Sequence, residues 1–312
     1  MEIKHLSGLI SAPFTPMHSD GSLNLELIPK YYELLKGNGV KGAFICGSTG
    51  EGVSLTALEK KQVIAAWSSA TKHDKDFNVM PLVGGTCMSD CIDIALYAQQ
   101  YGLYGIGFAA PFYFKPTTVQ MLADSCLAVA GSVPSMPFYY YHIPVLTGVD
   151  FPMIELLREL NGKLPNLAGI KYTHENLMDF MSCLNYENAK YDMLWGRDES
   201  FLSALAVGAK GAVGSTYNYA APLYLKLIDA FEHGDLVTAR QCQQKSIDMI
   251  SLLIKYGGMA VGKAYMKQLG LDCGKFRLPV RNMTEEQIKL FENDVKQLRF
   301  KSFCSRIMST AN

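Results

Sequence analysis

Eight times in succession this chain passes from a short apolar run to a longer amphipathic stretch. That alternation restricts it to parallel strands joined by crossover helices. The apolar runs lie at residues 9–12, 42–46, 79–83, 105–109, 137–141, 168–172, 193–196 and 212–215, each bounded by glycine, proline or polar residues. Helical periodicity fills the intervals, at 26–36, 56–70, 90–100, 118–130, 152–160, 177–184, 199–207 and 223–231. Thr56 and Glu59 form a capping box at the start of the second of these. Eight units in about 230 residues predict an α/β fold of the (β/α)8 TIM-barrel type. A doubly wound open sheet is the alternative, but no Gly-x-Gly-x-x-Gly follows the first strand, as a dinucleotide-binding version would require. Beyond the eighth unit the pattern becomes purely helical, at 236–255, 261–269 and 285–298, with Thr284 and Gln287 as a second capping box. The expected organisation is a barrel domain over residues 1–233 and a C-terminal helical extension over 234–312.

A barrel of this kind carries its catalytic groups at the C-terminal ends of the strands and in the loops that follow. The sixth strand holds an anomaly there: Lys171, within the otherwise apolar run Leu167-Ala-Gly-Ile-Lys-Tyr-Thr173. Lysine is rarely buried. Desolvation favours its neutral amine, which can attack a carbonyl and form a Schiff base. The alternative is a strand-end lysine that extends its charge to solvent. Thr173, two residues on, shares its face.

Three other strand ends are chemically distinctive. After the second strand comes Gly47-Ser48-Thr49-Gly50-Glu51-Gly52, where glycines around two hydroxyls let backbone amides converge on an anion such as a carboxylate. An ordinary loop leading to the Thr56 cap is equally compatible with that string. The fifth strand ends in Tyr139-Tyr140-Tyr141-His142, with Tyr139 and Tyr141 on one face and Tyr140 on the other. A phenol at that end can relay a proton, whereas aromatics also simply favour strands. His142 reads as a loop hydrogen-bonder. The seventh strand ends in Gly196-Arg197-Asp198-Glu199, whose two carboxylates suit sugar hydroxyls, a metal or a cation, or cap the next helix. The eighth ends in the hydroxyl-rich turn Gly214-Ser215-Thr216-Tyr217-Asn218.

Composition removes several function classes. The 29 basic and 29 acidic residues balance, and no Lys/Arg cluster offers a phosphate-binding stripe, so nucleic acid is not an expected partner. The eight cysteines form no Cys-x-x-Cys and take no zinc spacing with a histidine. Cys87 and Cys91, four apart, are expected to share a helix face as packing. The six histidines supply no ligand cluster, so neither a metal nor a cofactor is expected. No signal peptide and no apolar span of about 18 residues is present, which predicts a cytoplasmic protein without a membrane partner. An amine nucleophile, a phenol, an anion cradle and polyol-binding groups are the equipment of a Schiff-base aldolase acting on a 2-oxo acid.

The strings Gly47-Ser-Thr-Gly-Glu51, Tyr141 before His-Ile-Pro144, and Gly169-Ile-Lys-Tyr-Thr173 resemble the pyruvate-dependent class I aldolases, a superfamily that includes N-acetylneuraminate lyases and dihydrodipicolinate synthases. The resemblance covers nearly the whole chain. Pro137-Phe-Tyr-Tyr-Tyr-His-Ile-Pro144, Leu146-Thr-Gly148, Gly196-Arg-Asp-Glu199 and Gly211-Ala-Val-Gly-Ser-Thr-Tyr-Asn218 are similar to the N-acetylneuraminate lyase branch. Leu146 stands where the synthases usually carry an arginine for a second carboxylate.

The resemblance implies Lys171 as the imine lysine and Tyr141 as the proton shuttle at the substrate C4 hydroxyl. It implies Ser48, Thr49 and the Gly50 amide as the carboxylate site, and Thr173, Gly196, Asp198, Glu199 and Ser215 as the site for the hydroxyl tail. It implies cleavage of sialic acid to pyruvate and N-acetylmannosamine without a cofactor, in a homotetramer built as a dimer of dimers, with Tyr113 reaching a neighbouring subunit's site. It leaves Arg197 either tuning specificity or facing solvent. A related aldolase for 2-keto-3-deoxy sugar acids, a dihydrodipicolinate synthase-like condensation, a barrel that binds without turnover and a metal-dependent class II aldolase are the competing readings. The last lacks its ligand cluster.

Overall fold

The computed structural model describes residues 4–307; residues 1–3 and 308–312, the outer ends of the two expected segments, lie outside the described residues. Eight parallel strands form the sheet: β1 (Gly8–Ser11), β2 (Gly42–Ile45), β3 (Asn78–Pro81), β4 (Ile106–Ala109), β5 (Phe138–His142), β6 (Leu167–Tyr172), β7 (Asp192–Trp195) and β8 (Gly211–Gly214). Their order is β3-β2-β1-β8-β7-β6-β5-β4. The two edges meet through a single bridge between Leu82 and Gly107, flanked by the Tyr104 amide donating to the Val79 carbonyl at 3.1 Å and the Val83 amide donating to the Gly107 carbonyl at 2.9 Å. The sheet is therefore a TIM barrel with one sparse seam.

Each strand is buried on both faces except at its ends, which is why it reads as a continuous apolar run. Alternation then sorts the side chains. Ile10, Phe44, Met80, Tyr139, Tyr141, Leu194 and Val213 fill the barrel interior. Leu9, Ile45, Tyr140, Ile170 and Tyr172 face outward, into the larger core beneath the helices.

The helices are α1 (Ile28–Gly37), α2 (Ala57–Thr71), α3 (Met88–Gln100), α4 (Val119–Gly131), α5 (Pro144–Thr147), α6 (Met153–Leu160), α7 (Leu177–Asn185), α8 (Phe201–Ala206), α9 (Tyr217–Glu232), α10 (Leu236–Tyr256), α11 (Val261–Gln268) and α12 (Glu285–Gln297). Both capping boxes form: Thr56 with Glu59 starts α2, and Thr284 with Gln287 starts α12. Each satisfies amides that a helix start leaves unpaired.

Three local expectations are corrected. The helix after β8 begins at Tyr217, six residues before the expected start at Leu223, because Pro222 sits inside a kinked helix whose Ala220 departs from helical geometry. Cys87 does not pack beside Cys91; it precedes α3 and is exposed, whereas Cys91 is buried. His142 is not a loop residue but the last residue of β5, 1% exposed, with its ring 5.0 Å from that of Tyr172. Burial and the neighbouring His174 hold its pKa down at about 4.

Among the described residues, no helix is long and apolar enough to cross a membrane.

Candidate active site

Register places the two central groups side by side. On adjacent strands Tyr141 of β5 is the direct partner of Lys171 of β6. Both point into the barrel near its C-terminal mouth. Lys171 is 4% exposed. Its Nζ lies 3.9 Å from the centroid of the Tyr141 ring and 4.0 Å from that of Phe44. The two rings meet edge-to-face at 5.5 Å. Lys171 thus does not extend its charge to solvent.

Burial draws its pKa down from 10.5 to about 7, opposed by the charge of Asp198. A shift of that size biases the group toward the free amine by roughly 5 kcal/mol. Burial raises the Tyr141 pKa above its usual value, and the Ser48 and Thr173 hydroxyls beside it partly offset the rise. The phenol therefore keeps its proton at neutral pH.

A cavity of about 180 Å³ opens above this pair. Ser48 and Thr49, from the loop after β2, form one wall with Lys171 and Tyr141. Thr173, Gly196, Asp198, Glu199 and Ser215 line the same cavity. Nine of the expected site residues therefore share one hollow. Gly50 stands behind its neighbours, its carbonyl accepting a 2.5 Å hydrogen bond from the buried Thr15 hydroxyl. Tyr113 is not in the cavity. It lies beyond β4, 76% exposed, and packs edge-to-face against the exposed Phe114.

The loop after β2 holds an unusual backbone. Cys46 and Glu51 bracket Ser48-Thr49-Gly50, and both take left-handed φ values, 54° and 57°. Such conformations cost non-glycine residues of order 1–3 kcal/mol each. The turn also closes tightly: the Gly52 amide donates to the Gly47 carbonyl at 3.0 Å. A Cβ on Gly52 would stand 1.8 Å from the Cys46 carbonyl oxygen, so only glycine fits. The two hydroxyls are thereby fixed at the cavity wall.

Asp198 does not cap a helix through its side chain. Its Oδ2 accepts from the Thr216 amide at 2.9 Å and the Thr216 hydroxyl at 2.6 Å. Its buried Oδ1 has no hydrogen-bond partner among the described residues. A Cβ on Gly214 would stand 1.9 Å from that oxygen, so the carboxylate occupies space that glycine leaves free. Burial raises the Asp198 pKa to about 6, while the bonds from Thr216 hold it lower than burial alone would. Arg197 neither faces solvent freely nor enters the cavity. It bridges Glu175 at 2.6 Å and Glu199 at 2.7 Å, orienting the latter along the wall.

The Asn218 amide fixes the turn carrying Ser215. It donates to the Ala12 and Ser215 carbonyls at 2.7 Å, and its oxygen accepts from Ser11 and Tyr31.

Several contributors escape a sequence reading. Phe44 presses on Lys171 from β2. Ile250 and Leu253 of α10, with Met259 just beyond it, reach the cavity from the helical extension. Leu146, 57% exposed, sits in an adjoining apolar annex of about 280 Å³ that shares Ser48, Tyr141 and Ile143 with the cavity. A larger hollow of about 560 Å³ between α11, α12 and the loop after β1 contains neither Lys171 nor Tyr141. Among the described residues no group of three or more His, Cys, Asp or Glu is placed to hold a metal ion.

An amine near neutrality gives a sharp pH signature. The free amine exists above its pKa, so reductive trapping of a pyruvate imine should rise with pH through about 7 and level off above it. Trapping rates measured from pH 5.5 to 9 check this. A rise centred at the ordinary lysine value would mean that burial does not tune Lys171.

Comparison with known proteins adds a second line of support. The sequence model of the Dihydrodipicolinate synthetase family matches residues 5–298. The chain is 39% identical over 304 residues to an N-acetylneuraminate lyase of Rattus norvegicus, covering 96% of this chain and 95% of that one. It is 40% identical over 289 residues to an N-acetylneuraminate lyase of Gallus gallus, covering 91% and 94%. The solved structure of Proteus mirabilis N-acetylneuraminate lyase superposes with a TM-score of 0.92 at 38% identity, covering 95% of this chain and all of that one.

Proposed function

The chain belongs to the dihydrodipicolinate synthetase family, and from that membership we propose that it is a Schiff-base aldolase cleaving N-acetylneuraminate reversibly to pyruvate and N-acetylmannosamine. The observation that carries the reading is the in-register pair of Lys171 and Tyr141, in one cavity with the Ser48 and Thr49 hydroxyls and with Thr173, Asp198, Glu199 and Ser215. The similarity to N-acetylneuraminate lyases supplies the substrate.

In this reading the Lys171 amine attacks C2 of the open-chain sugar acid. Water leaves, and the iminium takes up the electron pair released when the C3–C4 bond breaks. Ser48, Thr49 and the Gly50 amide hold the substrate carboxylate beside the nucleophile. Tyr141 accepts the C4 hydroxyl proton. Because burial keeps the phenol protonated, it can accept that proton only by passing on its own, and the Ser48 hydroxyl beside it opens a route. The resulting enamine takes up at C3 the proton that Tyr141 returns, and water then adds to the iminium and releases pyruvate with the free Lys171 amine. Asp198 and Glu199, the latter held by Arg197, bind tail hydroxyls together with Thr173, Gly196 and Ser215.

The reading extends to assembly and location. Tyr113 and Phe114, 76% and 85% exposed, suit a neighbour's surface in a homotetramer, and a cytoplasmic enzyme accords with the absence of a membrane-crossing helix among the described residues.

Incubation with N-acetylneuraminate and enzymatic measurement of pyruvate tests the reading. Release is expected at a rate within the ordinary enzymatic range, about 1–10³ per second. Release from 2-keto-3-deoxy sugar acids alone would overturn the substrate, and release from neither would overturn the reaction.

A further inference from the structure

We propose that Lys263 of α11 is a positioning residue for the carboxylate-binding loop, acting through Glu51, so that the helical extension helps to set the affinity for pyruvate. The inference rests on the anion role given above to Ser48-Thr49-Gly50. Glu51 is 3% exposed and directly follows that tripeptide, in a left-handed conformation that its surroundings must impose. Its Oε1 accepts a 2.7 Å bond from the Lys263 ammonium, whose side chain is 3% exposed. Its Oε2 accepts from the Arg277 amide at 2.8 Å.

Lys263 is itself fixed. It donates to the Lys275 carbonyl at 3.0 Å, and its Nζ lies 4.6 Å from the centroid of the Phe276 ring. The Arg277 guanidinium then ties the same segment to the barrel. It pairs with Glu59 of α2 and donates to the Gly21 carbonyl. Two charged links therefore run from the extension, one to Glu51 midway between β2 and α2 and the other to Glu59 in the first turn of α2.

A buried carboxylate without its counter-charge moves toward water or takes up a proton. Either change releases the loop that presents Ser48 and Thr49. Lys263 touches neither substrate nor Lys171, so its loss should appear in binding rather than in the chemistry at the imine.

The test is reductive trapping of pyruvate on the full-length protein, followed by intact mass at increasing pyruvate concentration. Lys263→Met is expected to raise the half-saturating pyruvate concentration about tenfold or more, the scale of loss when a contact is misplaced by about 1 Å. The trapping rate at saturation should stay within about twofold of wild type, because a loss confined to binding raises half-saturation and leaves the saturating rate unchanged. The single variant strands a buried charge, so Glu51→Gln/Lys263→Met, which removes both charges, is measured beside it. It should show the same shift in half-saturation. Lys263→Arg, which retains the charge, should lie nearer to wild type.

A folded double variant with wild-type half-saturation would overturn the assignment. So would a fall in the saturating rate alone, or failure of both Met variants to fold, which would make the pair purely structural. If the wild-type protein is not trapped at all, the imine reading itself fails, a result distinct from the others.

Discussion

Lys171→Ala is expected to abolish pyruvate release from N-acetylneuraminate and reductive trapping by pyruvate, while the barrel stays folded. The rate should fall by roughly 10⁵-fold or more, since the covalent route disappears and the uncatalysed reaction is all that remains. The fold should tolerate the change for a specific reason. The Lys171 ammonium is disfavoured where it sits, pressed between the rings of Phe44 and Tyr141 and drawn down to a pKa of about 7. Removing it therefore relieves a desolvated charge and leaves a hollow open to the cavity above. Lys171→Met keeps most of the volume and should be equally inactive, which separates the loss of the amine from the loss of packing. Steady-state assay, trapping by mass and a thermal melt on the same preparations check all three statements. Turnover within about a hundredfold of wild type in either variant would remove Lys171 from the covalent role, because no other group there can form the imine.

Tyr141→Phe should lower kcat for cleavage by about 10² to 10⁴, the usual contribution of a positioned proton donor or acceptor. The ring remains, so the edge-to-face contact with Phe44 and the shelf beneath Lys171 survive. Only the hydroxyl is lost. Imine formation with pyruvate does not require proton transfer at a C4 hydroxyl, so trapping should persist at a pyruvate concentration near that of wild type. The combination of slow cleavage and retained trapping locates the tyrosine at carbon–carbon bond breaking rather than at nucleophilic attack. A variant that cleaves at a near-wild-type rate would take Tyr141 off the proton path. One that neither cleaves nor traps would place its hydroxyl at the imine step instead.

The fold was largely legible because the barrel buries both faces of its strands. Continuous apolar runs between glycines and prolines mark such strands clearly, and the observed starts fall within one residue of the expected ones. The helix after β8 was misjudged because proline ordinarily begins or ends a helix. Here Ala220 absorbs the kink and α9 continues through Pro222.

The site was legible wherever its chemistry sits at strand ends, a constraint that the topology itself imposes. It was opaque where distant segments converge. Nothing local to Glu51 indicates a partner at Lys263, 212 residues away. The same holds for Ile250 and Leu253 of α10 and for Met259 just beyond it, which reach the cavity from the helical extension. His142 was misplaced because strand boundaries shift by a residue or two, and one residue decides whether a side chain is in the sheet or beyond it. For Asp198 the sequence left binding of hydroxyls and capping of the next helix both open. The Thr216 donors that engage it come from the next strand end.

The sparse seam between β3 and β4 gives the barrel an uneven mechanical character. Every other neighbouring pair of strands is joined by a ladder, and the one between β5 and β6 runs from Phe138 to His142. Openings of a sheet start where the fewest backbone hydrogen bonds must break. The staves should therefore part first between β3 and β4, as a hoop opens at its clasp. Tyr141 and Lys171 sit on the longest ladder, on the two strands next after the clasp's β4 edge. An opening there would leave paired the ladder that holds the Lys171 amine beside the Tyr141 phenol.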